Sequence, residues 1–234
     1  MTGRRESGKS VTARGVRRLV LTLILFAALL LVPAWSWRYW EGWVYFGLMA
    51  LCWTYFFFAL LKHDPQLLER RMQIKESATE QRLLQKLMQL IFFSGLVLAG
   101  LDFRFGWSES GVRPVPRWLM LAGQALAVGA YWLVFWVMKT NSFAASTIRV
   151  EDGQPVIDRG PYTWVRHPMY FGMILMMLAT PLALGSYVAL PVFALIVPVL
   201  VSRLSHEEKF LRQALPGYGE YCQRTRFRLV PFLW

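Results

Sequence analysis

Charged residues are absent from five stretches of this chain and crowded into the segments between them. Leu19–Trp37 and Trp43–Leu61 each run 19 residues without Asp, Glu, Lys or Arg, Leu87–Leu101 runs 15, Trp118–Met138 runs 21 and Met169–Ser202 runs 34. A helix needs about 20 apolar residues to cross a hydrocarbon core about 30 Å thick, so the first, second and fourth stretches each predict one span. The third is short, and Phe103, Phe105 and Trp107 extend it, with Asp102 and Arg104 near the interface. The fifth is too long for one span, and Pro181, Gly185 and Ser186 interrupt its middle. That interruption predicts a tight hairpin of two short helices. Any one of these stretches would suit a buried core helix, but the polar chain left over is too small to cover five. The pattern predicts an all-α, polytopic helical membrane protein with about six transmembrane helices, the last two forming a C-terminal hairpin over 169–202.

Composition sharpens this reading. Hydrophobic residues make up 56 % of the 234 residues and aromatic residues 15 %, while 17 % are charged. Soluble domains carry about a quarter charged residues. The formal net charge is nevertheless +12, which raises nucleic-acid binding as an alternative. The location of the charges decides against it. Assigning loops to alternate sides puts 22 Lys and Arg on the side of both termini and 4, Arg38, Arg104, Arg113 and Arg117, on the other. Cytoplasmic loops carry the excess of Lys and Arg, so both termini are expected in the cytoplasm and the excess charge meets anionic headgroups. Aromatic clusters at the stretch ends, such as Trp35, Trp37, Tyr39, Trp40 and Trp43, match interfacial belts. The bulky Pro33-Ala34-Trp35 sequence after the first stretch argues against signal-peptide cleavage. Cys52 and Cys222 predict neither a disulfide nor a metal cluster. The chain divides into a basic, mobile tail (1–16), a four-span region (17–138) and a C-terminal region (139–234) that contains the hairpin.

Chemistry is sought in the polar segments. Asp64-Pro65 is a sound helix start, with Asp as N-cap and Pro at the first helical position. The apolar residues among the charges between Asp64 and Lys86 predict an amphipathic helix at the membrane surface, read as an elbow between spans. The external loop Asp102–Arg117 is assigned no chemistry. After the fourth span, Asn141–Ile148 leads to Val150, and a turn at Glu151-Asp152-Gly153 is expected between two short extended pieces. A second turn at Asp158-Arg159-Gly160-Pro161-Tyr162 precedes Arg166-His167-Pro168-Met169-Tyr170, where Pro168 suits the first turn of the fifth span. At the far end of the hairpin come Arg203, His206, Glu207 and Glu208. A hairpin returns its ends to one side, so the two polar clusters should face each other. Arg203 and Glu207, at i and i+4, share a helix face, as a surface salt bridge or as functional groups at the membrane margin.

Gly160-Pro161-Tyr162, Arg166-His167-Pro168-x-Tyr170-x-Gly172, Arg203-x-x-x-Glu207-Glu208 and Tyr218-x-x-Tyr221 together resemble the isoprenylcysteine carboxyl methyltransferase family, whose relatives include bacterial phospholipid N-methyltransferases. The resemblance covers the chain from about Asn141 onward. It implies S-adenosyl-L-methionine bound at the cytoplasmic face, beside a lateral opening for a lipid-like or prenylated acceptor, in a bacterial inner membrane. It implies cofactor contacts from Gln154, Pro155, Val156, Ile157, Tyr162, His167, Pro168, Met169, Tyr170 and Glu207, with Arg203 meeting the acceptor and no metal. The residue types suit that chemistry: tyrosine faces attract a sulfonium cation, and a carboxylate holds an ammonium or ribose hydroxyls. A carboxylate acceptor needs no general base, whereas an amine acceptor would call on Glu208 or His167. The chain lacks Gly-x-Gly-x-x-Gly, so a Rossmann methyltransferase is not indicated.

Two alternatives stand beside it. The Tyr218–Pro231 tail is also similar to membrane sterol reductases, which bind NADPH, and Arg224, Arg226 and Arg228 would be available for its extra phosphate. A non-catalytic, lipid-binding membrane protein is the other.

Overall fold

The computed structural model describes the backbone of residues 2–72, 79–111, 113–143, 150 and 153–234. Side chains are described for the same residues apart from 2–11, 70, 72, 79 and 80. Glu151, Asp152 and residues 144–149, on which part of the expected turn and extended pieces falls, lie outside them. Among the described residues the chain is helical with turns and irregular connections, and no strand forms. The elements run α1 (Thr2–Ala34), α2 (Trp40–His63), α3 (Pro65–Met72), α4 (Thr79–Phe105), α5 (Trp107–Gly111), α6 (Arg117–Thr140), a 3-10 turn (Gly160–Thr163), α7 (Pro168–Ala183), α8 (Leu190–Ala194), α9 (Ile196–Ala214) and α10 (Tyr218–Arg224).

Among the described residues, five helical segments are long and apolar enough to cross a membrane: Thr12–Ala34, Trp40–His63, Gln81–Phe105, Arg117–Thr140 and Leu190–Ala214. The sixth apolar helix, α7, has 16 residues and a length of about 24 Å at 1.5 Å per residue. The long charge-free stretch therefore folds into the expected hairpin, with unequal arms. Its break falls at Gly185, whose φ of +69° suits glycine, while Pro181 stays inside α7. The short third stretch becomes a full span because α4 continues beyond it at both ends. The span begins earlier than expected: Thr79–Lys86, read as part of the elbow, belongs to the same helix as the third stretch. Asp64 does cap α3, its Oδ1 accepting the Leu67 N–H at 2.9 Å.

Alternating helices put the start of α1, the end of α2, α3, the end of α6, the start of α7 and the end of α9 at one end of the bundle, here termed the basic end. At the opposite end the hairpin tip is fastened by Asp102, which the sequence places at an interface and the fold buries. Ser108 N–H donates to Asp102 Oδ1 at 2.7 Å, and the Ser108 and Ser186 hydroxyls both donate to Oδ2 at 2.5 Å. Ser186 Oγ then accepts the Ala189 N–H at 3.0 Å, so one carboxylate organises the turn between α7 and α8.

The closest packing joins α6 to α7, through small residues that let helix backbones approach. A Cβ on Gly123 would lie 2.6 Å from the Ala183 backbone nitrogen, and one on Gly172 would lie 2.8 Å from Val134 Cγ2. This contact matters for the site because α7 begins with the Arg-His-Pro corner. Gly123→Val is expected to cost about 3 kcal/mol through overpacking, read as a lowered unfolding temperature in detergent. Gly129→Val is the control, because a Cβ there meets nothing within 4 Å, and it should unfold like the parent.

Candidate active site

The N-terminus of α7 and the C-terminal half of α9 meet at the basic end, as the hairpin requires. His167 occupies the N-cap position of α7 without a side-chain capping bond, and Pro168 opens the helix, where the missing N–H costs no helix bond. Between these elements lies a cavity of about 510 Å³, within the range of small-molecule sites, about 300–1,000 Å³. Gln154, Pro155, Val156, Ile157, Tyr162, His167, Pro168, Met169, Tyr170 and Glu207 all line it, as does Arg203. Sequence-distant residues expected to hold one ligand thus share one space.

Arg203 and Glu207 are not a surface ion pair. Arg203 is buried, and its Nε donates to the Tyr170 hydroxyl at 3.3 Å. That hydroxyl in turn donates to Glu207 Oε2. Tyr170 therefore fixes a guanidinium and a carboxylate one helical turn apart, both on the cavity wall. Tyr162 stands nearby, accepting the Asn141 Nδ2–H at 2.9 Å. Its backbone carbonyl accepts the Tyr221 hydroxyl at 2.8 Å. Burial pushes the Tyr162 phenol up to about 12, so it stays neutral and offers an uncharged aromatic face.

Glu208 is placed differently from its expected catalytic position. It is 4 % exposed and is not among the residues lining the cavity. Its Oε1 lies 2.7 Å from Arg166 Nε and 3.4 Å from His167 Nε2, and its Oε2 lies 3.1 Å from Arg228 Nε. Consecutive helix residues project about 100° apart, and here Glu207 turns to the cavity while Glu208 turns to the ion cluster. With two guanidinium partners, the Glu208 carboxylate is a poor proton acceptor. It acts as a structural anchor between α9, the Arg-His-Pro corner and the C-terminal tail. The backbone reinforces that junction, with Arg166 N–H donating to the Phe227 carbonyl and His167 N–H to the Arg228 carbonyl, both at 2.9 Å.

Arg71 is the residue that the sequence reading missed. It lines the cavity from α3, and its Nη2 donates to Met169 Sδ at 3.1 Å. Burial pulls its guanidinium down to about 10, offset by Tyr162, Tyr170 and Glu207 among others. It therefore remains cationic at neutral pH. The sequence signal is faint: Arg71 lies one turn beyond Leu67 and Leu68 on one helix face, and it is their burial in the fold that marks this face as inward. Gln85, Met88, Gln89 and Phe92 of α4, spaced i, i+3, i+4 and i+7, also line the cavity and carry it toward the apolar part of the bundle. The tail arginines lie elsewhere. Arg224 pairs with Asp158 at 3.1 Å, Arg226 lines a separate surface recess with Phe227 and Phe232, and Arg228 holds Glu208. None of the three lines the cavity.

Residues 121–213, which contain the hairpin and both polar clusters, match the isoprenylcysteine carboxyl methyltransferase (ICMT) family. The YpbQ protein of Bacillus subtilis (strain 168) is 30 % identical over 129 residues, spanning 54 % of this chain and 71 % of YpbQ. This chain belongs to the isoprenylcysteine carboxyl methyltransferase family. Its fold agrees: the solved structure of the eukaryotic intramembrane Ras methyltransferase ICMT superposes with a TM-score of 0.57 over 95 % of this chain and 77 % of that one, at 20 % identity. The fold and the apolar helices make the protein an integral multi-pass membrane protein. The chain is also similar to the cobalt-zinc-cadmium resistance protein CzcN of Cupriavidus metallidurans, 32 % identical over 138 residues, 55 % of this chain and 56 % of CzcN. Mouse delta(14)-sterol reductase TM7SF2 is 34 % identical over 94 residues, which span 38 % of this chain and 22 % of the reductase.

Removing Glu208 should unfasten the junction. Glu208→Gln leaves Arg166 buried without its counter-charge and is expected to cost about 3 kcal/mol, visible as a lower thermal unfolding midpoint. An unchanged midpoint would show that the ion cluster does not hold the corner.

Proposed function

We propose that the protein is an S-adenosylmethionine-dependent methyltransferase acting on a membrane-embedded, lipid-like or prenylated acceptor. The observation that carries this reading is the cavity in which the Arg203–Tyr170–Glu207 array and Tyr162 converge, open along α4 toward the apolar bundle. The residues fit the cofactor. Glu207 offers a carboxylate for its ammonium or ribose hydroxyls, and the faces of Tyr162 and Tyr170 suit a sulfonium. Arg71 and His167 are placed for its carboxylate. When bound, the cofactor supplies a methyl group on a positively charged sulfur.

This chain's residues then act by position. Methyl transfer is an in-line displacement, so holding the acceptor in line matters most. Arg203 anchors an anionic acceptor headgroup while the tail of the acceptor lies along Met88, Phe92 and Met177. With Glu208 engaged by Arg166 and Arg228, an amine acceptor would depend on His167 as its base, whereas a carboxylate acceptor has no proton to lose and needs none. The reductase reading lacks its anchor, because Arg224, Arg226 and Arg228 do not line the cavity. The excess of Lys and Arg at the basic end supports both termini and the site on the cytoplasmic face, and a bacterial inner membrane is the proposed location.

Titration of the purified protein with S-adenosylhomocysteine and with NADPH tests the cofactor. Binding of the first and not the second is expected, and the reverse result sinks the proposal. Glu207→Ala should weaken S-adenosylhomocysteine by about 10- to 100-fold, the range of a charge-assisted hydrogen bond. Arg203→Ala should leave that affinity within about threefold of the parent and lower turnover by about 100-fold. Loss of cofactor affinity in Arg203→Ala, with the fold intact, would contradict the assigned roles.

Topology is read separately. In a background with Cys52 and Cys222 replaced by Ser, Ser7→Cys and Gly219→Cys should label from the cytoplasmic side and Glu109→Cys from the other. Labelling of Ser7→Cys and Gly219→Cys from opposite sides would refute the arrangement.

A further inference from the structure

The tyrosine hydroxyls around the cavity have partners, with one exception. Tyr170 donates to Glu207, Tyr162 accepts from Asn141, and Tyr221 donates to the Tyr162 carbonyl. Tyr218 also lines the cavity and is 4 % exposed, yet its hydroxyl has no hydrogen-bond partner among the described residues. A buried hydroxyl without a partner carries its full desolvation cost, and folded proteins rarely leave one so. Nothing in the packing of α10 requires that cost, since a phenylalanine would fill the same space. A group that enters the cavity is the natural source of the missing acceptor.

The surroundings say which group. Tyr218 packs in an apolar cluster with Leu215, Tyr221 and Cys222, and with Val156 and Leu211 at its edge. The ionic side chains of the wall, Arg71, Arg166, Arg203 and Glu207, come from α3, the corner before α7, and α9. At the other extreme the wall is Met88, Phe92 and Met177 from the spanning helices. A flat heterocycle matches the first region, a charged reacting centre the second, and a hydrocarbon tail the third. Burial, with the Glu208 carboxylate adding to it, pushes the Tyr218 phenol up, so the group stays protonated and can serve as a donor. Purine ring nitrogens are acceptors of the kind that such a donor satisfies.

On the reading proposed above, we infer that Tyr218 is a cofactor-binding residue whose hydroxyl donates a hydrogen bond to the purine base. It would fix the nucleoside end of the cofactor.

Tyr218→Phe removes the hydroxyl and little else. Two probes are titrated into the parent and the variant: S-adenosylhomocysteine, and 5′-methylthioadenosine, which keeps the nucleoside and lacks the amino-acid arm. The inference expects both to weaken by about 5- to 30-fold, with the ligand-free unfolding midpoint unchanged or raised. A weakening confined to S-adenosylhomocysteine would move the contact to the amino-acid arm and overturn the inference. Unaltered affinity for both probes would overturn it too, as would a lowered ligand-free midpoint, which marks a hydroxyl that serves the fold. Failure of the parent protein to bind S-adenosylhomocysteine would instead remove the methyltransferase reading, and this inference with it.

Discussion

A carboxylate buried at the margin of an apolar bundle must be compensated, and Glu208 is compensated from three directions. Arg166 and His167 come from the corner before α7, and Arg228 comes from the tail. Burying one charge alone is costly enough that losing either side of such a set weakens a fold by several kcal/mol. The requirement therefore works as a geometric constraint. It fixes where α9 ends relative to α7 and draws the tail across the corner, where the backbone pairs of Arg166 and His167 complete the seam. Once Glu208 points into this cluster, Glu207 must point elsewhere on the helix, and the cavity lies there. Two adjacent carboxylates thus take different work from the turn of one helix, one structural and one available to a ligand.

The rest of the bundle serves that junction. Small residues bring α6 and α7 into backbone contact, which sets the depth at which the Arg-His-Pro corner sits. At the far end Asp102 fastens the hairpin tip through two serine hydroxyls, so both ends of α7 are held by buried carboxylates. Between them the α4 face supplies the apolar continuation of the cavity. This arrangement suits the proposed chemistry, in which a polar cofactor and an apolar acceptor approach from different environments.

Much of this was legible in the sequence because a bilayer imposes a coarse rule that hydropathy records. The charge-free stretches found the spans, Asp64-Pro65 found the start of α3, and the return of a hairpin implied that Arg166–Tyr170 would face Arg203–Glu208. Three features were hidden for physical reasons. Glu207 and Glu208 are neighbours whose directions depend on the rotation of α9, and hydropathy does not carry rotation. Asp102 reads as an interfacial charge until its serine partners, one of them 84 residues away, are brought to it. Arg71 sits in a run of charges that resembles a solvated surface. Only the burial of Leu67 and Leu68 shows that this face of α3 turns inward. Gly185 rather than Pro181 breaks the hairpin, since a helix tolerates a proline where neighbouring helices support it.

The central claim is that this cavity transfers a methyl group to a molecule that resides in the membrane. The most direct measurement incubates membranes or a total lipid and protein extract with purified protein and S-adenosylmethionine carrying a labelled methyl group. The account predicts label in an extractable, lipid-linked product as a base-labile methyl ester, dependent on Arg203. Label that appears only in water-soluble products, or no transfer by a folded protein that binds the cofactor across extracts from several sources, would contradict it.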